Sequence, residues 1–378
     1  MTNVTKEQVL KQLETVSHPA VGGDVVSKGL ISDIFIADGK VFFSLTVPAD
    51  LAEKLEPLRL AAENAVKSIA GVKGAMVALT AERKPGSSAP PPGSAPQRAA
   101  PPQQQTPAKA GVPGVGAIIA VASGKGGVGK STTSVNLALG LQAIGLKVGI
   151  LDADIYGPSI PRLLNVSGQP EQVEGRMLKP KEAYGLKVMS MGFLVSEETP
   201  MIWRGPMVVS ALTQMLREVD WGALDVIVVD MPPGTGDAQL TMAQKVPLAG
   251  AVVVSTPQDL ALIDARKGLN MFKKVDVPLL GLIENMSYFQ CPSCGERSDI
   301  FGHGGARDEA NRIGVPFLGE VPLHMDIREN SDAGTPVVVS KPDGPHAQIF
   351  ADIAVKVRDQ IMESRQAQEN AAPRIVFE

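Results

Sequence analysis

The pattern of apolar residues predicts an α/β domain in the larger, carboxyl-terminal part of the chain. Five continuous apolar runs, typical of strands buried on both faces of a sheet, occur at residues 116–122, 148–151, 226–229, 250–255 and 279–284. Segments with helical periodicity, such as 132–144 and 207–218, lie between these runs. Because strands alternate with helices, we expect an α/β fold with a doubly wound, mostly parallel sheet over residues 114–345. Residues 346–378 are expected to form a carboxyl-terminal helix, centred on 352–362, and a tail.

Residues 1–83 predict a small α+β domain with the element order α-β-β-α-β. Thr5 followed by Gln8 has the pattern of a helix capping box, and apolar residues at helical spacing come after it. Strands are predicted at 30–36 and 40–47 around the turn pair Asp38-Gly39, followed by a helix at 50–69 and a strand at 75–79. Residues 84–113 are mostly Pro, Ala, Ser, Gly and Gln, which predicts a flexible linker.

Composition and charge narrow the class of protein. The chain of 378 residues has 36 Lys and Arg against 40 Asp and Glu, which argues against binding nucleic acid through bulk positive charge.

No apolar stretch approaches the roughly 20 residues of a membrane-spanning helix, and the first residues lack the pattern of a signal peptide. The 2 cysteines are too few for a disulfide framework, so the cytoplasm is the expected compartment. We expect no nucleic-acid or membrane partner.

Residues 124–131 have the sequence GKGGVGKS, which fits the G-x-x-x-x-G-K-[ST] pattern of a phosphate-binding loop. The segment follows a predicted strand and opens a predicted helix, the context that this motif requires. Its glycines allow backbone N–H groups to surround phosphate oxygens. Lys130 is expected to reach the β- and γ-phosphates of ATP, and Ser131 to bind Mg²⁺. The residues expected to bind the nucleotide here are Gly124, Lys125, Gly126, Gly127, Val128, Gly129, Lys130, Ser131 and Thr132.

Four polar residues follow predicted strands, at the edge of the sheet where the phosphate loop is expected. Asp230 is expected to hold Mg²⁺ as a Walker B residue. Asp154 is expected to orient the attacking water or to complete the Mg²⁺ shell. Asp152 is expected to act either as a structural cap or as a hydrogen-bond acceptor for the phosphate loop. Asn285 is expected either to bind the adenine edge through its amide or to satisfy its own loop.

Cys291 and Cys294 form a C-x-x-C pair, followed by Gly295, that brings two sulfurs to one centre. Zinc and iron–sulfur sites usually need four protein ligands, and this chain supplies 2 cysteines. A complete site therefore requires a second chain, most simply in a dimer whose two pairs face each other. A thioredoxin-like redox pair and a pair without function are the alternatives.

Seven short segments occur in order along the chain: GKGGVGKST (124–132), LDADIYGPS (151–159), WRGPM (203–207), DMPPGTGD (230–237), ENMS (284–287), CPSCG (291–295) and FGHGG (301–305). Together they resemble the motifs of the Mrp/ApbC-type P-loop ATPases, which are iron–sulfur cluster carriers of the deviant Walker A class. The resemblance covers the whole larger domain. The small domain resembles the iron–sulfur assembly domain that is often fused ahead of these ATPases.

The resemblance implies a homodimer with a labile [4Fe–4S] cluster bridging Cys291 and Cys294 of the two chains. It implies that Mg-ATP hydrolysis is coupled to loading the cluster, or to its transfer from scaffold donors to apoprotein acceptors. It also implies that Lys125 crosses the dimer to the phosphates bound by the other subunit. The expected catalytic residues are therefore Lys125, Lys130, Asp154 and Asp230.

Three other functions stay open on the sequence alone. A partition or division-site ATPase shares the deviant Walker A fold but gives the cysteine pair no role. A zinc-bridged dimer acting as a scaffold would use the same cysteines, and metal analysis distinguishes it from a cluster carrier. An electron-donating ATPase like the nitrogenase iron protein also bridges a cluster across a dimer, but the cysteines of that family lie far apart in sequence.

Overall fold

The computed structural model describes residues 4–18, 23–31, 34–37, 40–48, 55–72, 74–82, 111–173, 177–194 and 205–371. The chain divides into two compact units, one of Met1–Ala110 with Thr199–Ala211 and one of Gly111–Glu198 with Leu212–Glu378. Most of the expected linker, residues 84–110, lies outside the described residues.

The first unit contains a three-stranded sheet. Its elements are α1 (Lys6–Leu13), β1 (Ser17–His18), β2 (Gly23–Asp24), β3 (Phe35–Ala37), β4 (Lys40–Pro48), α2 (Glu56–Lys67) and β5 (Gly74–Glu82). β4 is the central strand, antiparallel to β3 and parallel to β5. The capping box is confirmed, because the Gln8 N–H donates to Thr5 Oγ1 at 3.4 Å and the Thr5 N–H donates to Gln8 Oε1 at 3.0 Å. The Asp38-Gly39 pair itself lies outside the described residues.

The strand predicted over residues 30–36 is shorter in the structure. Asp24 Oδ1 accepts the N–H groups of Val26 at 3.0 Å and Ser27 at 2.7 Å, which starts a turn. The Leu30 N–H closes this turn on the carbonyl of Val25 at 3.1 Å and so is not available to a strand at that point. In the described part of this segment, Ile31 forms only an isolated bridge with Leu45, and regular pairing with β4 begins at β3.

The second unit holds the larger sheet. Its strands are β6 (Val115–Ala122), β7 (Val148–Asp152), β8 (Lys181–Ala183), β9 (Leu186–Ser190), β10 (Leu224–Asp230), β11 (Gly250–Ser255), β12 (Leu279–Gln290), β13 (Arg297–Ser298) and β14 (Phe317–Leu323). Its helices are α3 (Lys130–Ala143), α4 (Ile160–Leu163), α6 (Asp237–Lys245), α7 (Asp259–Lys274), α8 (Gly305–Ile313), α9 (Met325–Asp332), α10 (Val337–Ser340) and α11 (Pro345–Ala371). A further helix, α5 (Gly205–Arg217), is divided between the two units after Ala211.

The larger sheet has nine strands among the described residues, in the order β13-β12-β11-β6-β10-β7-β9-β8, with β14 also paired to β12. The seven strands other than β13 and β8 run parallel, whereas those two pair antiparallel to β12 and β9. The mostly parallel sheet is confirmed, and all five predicted strands are present. The strand order places the carboxyl ends of β6, β10 and β7 side by side, because Asp230 pairs with both Val121 and Asp152.

Two helices show how tightly the core of this unit is packed. In α3, 10 of 14 residues are buried, and a side chain at Gly140 would meet the carbonyl of Phe350 in α11. α11 is longer than the predicted 352–362. It starts at Pro345 and continues through residues 363–371, which lack large apolar side chains but are mostly good helix formers. None of the helices in the described ranges combines the length and apolar character needed to cross a membrane.

Candidate functional site

The predicted phosphate loop is the turn between β6 and α3, and its backbone requires glycine. Gly127 and Gly129 have φ values of +81° and +78°, in the left-handed region that favours glycine. A Cβ at Gly129 would overlap the side-chain amide of Asn285, and one at Gly124 would overlap the backbone of α7 at Asp264. The glycines therefore allow both the turn and its close contact with two neighbouring elements.

Lys130, Ser131 and Asp230 meet in one buried hydrogen-bond network. Lys130 Nζ donates to Asp230 Oδ1 at 2.7 Å, and the Ser131 hydroxyl donates to Asp230 Oδ2 at 2.6 Å. The Ser134 hydroxyl, one helical turn further along α3, also donates to Asp230 Oδ1 at 2.6 Å. Lys130 is 6% exposed and Asp230 is fully buried, so this charge pair is shielded from water. A cation, a hydroxyl and a carboxylate at one point are the groups that a phosphate and its Mg²⁺ need.

Asp152 is a buried acceptor beside this network. Its carboxylate accepts the Ser190 hydroxyl at 2.9 Å and the backbone N–H groups of Ile160 and Asp154, each at 3.1 Å. Burial, and then the neighbouring charge of Asp230, raise the pKa of Asp152 to about 7. The contacts favour the structural alternative for Asp152, since they fix the chain that carries Asp154.

Asp154 is half-buried and lies at the start of the loop after β7. Its Oδ1 accepts the N–H of Gly157 at 3.3 Å. Burial raises its pKa, and the charge of Lys130 acts in the opposite direction. The Asp154 carboxylate is partly exposed and close enough to Lys130 for its charge to act on the Asp154 pKa. This position would allow it to contact water near the phosphates.

The pKa of Asp152 predicts how stability depends on pH. The folded carboxyl titrates near pH 7 and the unfolded one near 3.8, so the folded chain binds more protons between these values. The free energy of unfolding should therefore fall as the pH rises from about 4 to about 7, by a few kcal/mol at most. Urea unfolding at several pH values, with a chelator and without nucleotide, measures this slope. Asp152→Asn should flatten the slope, whereas Asp225→Asn, an exposed position on β10, should keep it; equal slopes in all three proteins would contradict the assignment.

β12 carries Glu284, Asn285 and Ser287, and these side chains bond to two different parts of the site. Asn285 Nδ2 donates to the carbonyl of Val128 in the phosphate loop at 2.8 Å. The fully buried Glu284 accepts the Ser287 hydroxyl and the N–H of Ala306, both at 2.6 Å. Ala306 lies in the first turn of α8, after the cysteine segment. The amide of Asn285 therefore bonds to the phosphate loop rather than to its own loop, and its role at the adenine stays a prediction.

Cys291 and Cys294 lie at the exposed tip of the hairpin that joins β12 to β13. The tip is a tight turn in which the Gly295 N–H donates to the Cys291 carbonyl at 2.8 Å and the Cys291 N–H donates to the Glu296 carbonyl at 2.9 Å. The N–H groups of Cys294 and Ser293 point at the Cys291 sulfur and hold the pKa of this thiol below its usual range. Metals bind thiolates rather than thiols, so the tip is prepared to act as a metal ligand.

The base of this hairpin is held by Arg297. Its guanidinium lies over the Tyr288 ring at 4.0 Å and bonds to Asp299 at 3.0 Å, and it approaches Glu320 in β14 at 3.5 Å. The hairpin is therefore anchored at its base and presents its cysteines outward.

The structure thus brings Lys130, Ser131, Asp230 and the phosphate loop together, with Asp154 beside them. Lys125 lies half-exposed in the same loop, and its carbonyl accepts the Ser123 hydroxyl at 2.9 Å. Three contacts were missed by sequence reasoning: Ser134 on Asp230, Ser190 on Asp152, and Glu284 on the α8 backbone. Only Ser134 had a usable signal, because it lies one helical turn from Lys130 and Ser131 on the same face of α3.

Comparison with known proteins agrees with these features. Residues 114–358 match the NUBPL iron-transfer P-loop NTPase family, and residues 6–78 match the iron–sulfur cluster assembly protein family. An iron–sulfur cluster carrier protein of Synechocystis is 43% identical over 363 residues, covering 95% of this chain and 98% of the relative. The iron–sulfur cluster transfer protein NUBPL of Dictyostelium discoideum is 54% identical over 273 residues, covering 71% of this chain and 84% of the relative.

Among solved structures, a nucleotide-binding protein of Archaeoglobus fulgidus in complex with ADP is similar, with 40% identity and a TM-score of 0.55. The match covers 62% of this chain and 92% of the other. The P-loop NTPase fold and the family resemblance drawn from the motifs are both confirmed. The chain belongs to the NUBPL iron-transfer P-loop NTPase family.

Proposed function

We infer that this protein is an ATP-dependent iron–sulfur cluster carrier that works as a homodimer. Each chain contributes Cys291 and Cys294 to one labile [4Fe–4S] cluster between the two subunits. Mg-ATP binds at the phosphate loop, and its hydrolysis is coupled to loading the cluster or to passing it from a scaffold donor to an apoprotein acceptor. The observation that carries this proposal is the exposed cysteine hairpin, with its lowered Cys291 pKa, on a P-loop NTPase of this family.

The cysteine count supports the dimer. A [4Fe–4S] cluster is usually held by four thiolates, and one chain offers 2 free cysteines. A two-fold axis beside the hairpin tip would bring a second, identical pair to the same cluster. Both cysteines are accessible enough for such pairing, because Cys291 is partly exposed and Cys294 is exposed.

The nucleotide roles follow the contacts of the buried network. Lys130 and the loop N–H groups would hold the phosphates, while Ser131 and Asp230 would hold Mg²⁺. Asp154 would orient the attacking water, and Lys125 would reach the phosphates bound by the partner subunit, so that turnover depends on the closed dimer. Asn285 would bind the adenine edge through its side-chain amide, either together with its bond to the Val128 carbonyl or in place of that bond.

Metal and sulfide analysis after anaerobic reconstitution tests the proposal. We expect about four irons and about four sulfides per two chains, together with a brown chromophore. A zinc-bridged scaffold would instead retain zinc and no sulfide, and a partition or division-site ATPase would bind neither metal at these cysteines. Either of those results would overturn the carrier function. A cytoplasmic location stays a prediction of the sequence.

A further inference from the structure

The Ser134 hydroxyl shares one oxygen of the Asp230 carboxylate with Lys130. It donates to Asp230 Oδ1 at 2.6 Å, and Lys130 Nζ donates to the same oxygen at 2.7 Å. The Ser131 hydroxyl donates to the other oxygen, Oδ2, at 2.6 Å. In the described part of the chain, these three groups are the hydrogen-bond donors to the Asp230 side chain. If Lys130 leaves, Ser134 is therefore the donor that remains on Oδ1.

The surroundings of Ser134 direct its hydroxyl to Asp230. The side chain is fully buried, and a hydroxyl has a single proton to donate. Its other near acceptor is the backbone carbonyl of Lys130, one helical turn back, at 3.0 Å. The contact with Asp230 is shorter and ends on a charged oxygen, so it is the stronger of the two.

The three donors differ in how close they lie to the phosphate loop. Lys130 and Ser131 are the first two residues of α3, directly after the loop. Ser134 lies in the second turn of α3, roughly 6 Å further along the helix axis than Lys130. A phosphate bound in the loop would therefore attract the Lys130 ammonium and leave the Ser134 hydroxyl where it is.

We propose that Ser134 is a positioning residue that holds Asp230 Oδ1 when a bound phosphate draws Lys130 away from it. This role rests on the proposed function, in which the loop binds ATP. Without nucleotide Oδ1 has two donors, and with nucleotide it has Ser134 alone. A buried carboxylate oxygen without a donor is strongly unfavourable. The hydroxyl therefore stabilises the nucleotide-bound state more than the free state, and this difference strengthens nucleotide binding.

Calorimetric titration of the full chain with ADP in the presence of Mg²⁺ tests this role. Ser134→Ala should bind ADP about 10-fold more weakly than the unaltered protein, the loss expected for one hydrogen bond to a buried charged group. Urea unfolding without nucleotide is measured in parallel. A merely structural Ser134 would change the unfolding midpoint and leave the ADP affinity as it was.

A pair of further variants separates the hydroxyl from the shape of the side chain. Threonine and valine have nearly the same shape and differ in the hydroxyl, so Ser134→Val should bind ADP about 10-fold more weakly than Ser134→Thr. Ser331→Ala is the matched control. Ser331 is also a buried helical serine, and its hydroxyl donates one turn back to the Ile327 carbonyl at 2.6 Å. This control should keep the ADP affinity of the unaltered protein.

The outcomes separate this role from the nucleotide site itself. Equal ADP affinity in Ser134→Thr and Ser134→Val would overturn the role of Ser134, and so would unchanged affinity in Ser134→Ala. Ser134→Ala only removes atoms, so it answers the question even if the two branched side chains do not fit this buried position. An unaltered protein that bound no ADP would instead overturn the proposed nucleotide site.

Discussion

Replacing Lys130 with methionine should lower the rate of ATP hydrolysis by at least about 100- to 1000-fold, the loss usual for a charged group that stabilises a transition state. The ammonium of Lys130 lies at the start of α3, 2.7 Å from the Asp230 carboxylate. A phosphate bound in the loop would therefore pair with this ammonium in place of Asp230. Methionine keeps the length of the side chain and removes only the charge. Steady-state hydrolysis at saturating Mg-ATP measures the effect, and a rate close to that of the unaltered protein would contradict the role of Lys130.

The same substitution should also destabilise the protein, because it leaves the Asp230 carboxylate buried without its cation. Breaking a buried ion pair by removing one partner costs about 3–5 kcal/mol, although the hydroxyls of Ser131 and Ser134 still bond to Asp230. Adding Asp230→Asn to Lys130→Met should restore much of this stability without restoring hydrolysis. Lys179→Met is the control, since Lys179 belongs to an exposed pair with Glu171 at 3.7 Å and should change neither property.

Replacing either cysteine with serine should remove nearly all stable iron from the reconstituted protein, rather than half of it. A single substitution leaves two thiolates per dimer where the cluster needs four. Iron and sulfide per dimer, with the visible spectrum, measure the result in Cys291→Ser and in Cys294→Ser. ATP binding should persist in both, because the phosphate loop is bonded to Asn285 and not to the hairpin tip.

Ser298→Ala is the matched control for the cysteine variants, because Ser298 is an exposed residue of the same hairpin. It should hold as much iron as the unaltered protein. A monomer that kept a full cluster on Cys291 and Cys294 alone would refute the bridging site, unless an external thiol were shown to complete the ligation.

The buried strands and the phosphate loop could be predicted because their signals are local. A continuous apolar run such as 226–229 and the glycine pattern of 124–131 each specify one element, and the parallel sheet then brings Asp230 beside the loop. The sequence leaves the role of Asp152 open because this role depends on Ser190, 38 positions away, which bonds to its carboxylate. A hydrogen bond between residues this far apart in the chain produces no periodicity or fixed spacing in the sequence.

Two errors at element ends have a similar origin. The polar end of α11 lacks the apolar periodicity from which helices are predicted, yet its residues have high helix propensity. Leu30 has strand-like neighbours, but the turn organised by Asp24 takes its N–H.

The tetrapeptide 284–287 in β12 has a consequence for genetics. Asn285 bonds to the phosphate loop, Glu284 accepts both the Ser287 hydroxyl and the first turn of α8, and the same strand continues into the cysteine hairpin. We therefore expect a substitution in this tetrapeptide to disturb both the phosphate loop and the cysteine hairpin, because one strand carries the contacts of both. A screen for alleles that keep nucleotide turnover but lose cluster delivery should therefore recover changes at the hairpin tip and not in this tetrapeptide, where each allele should fail both tests together.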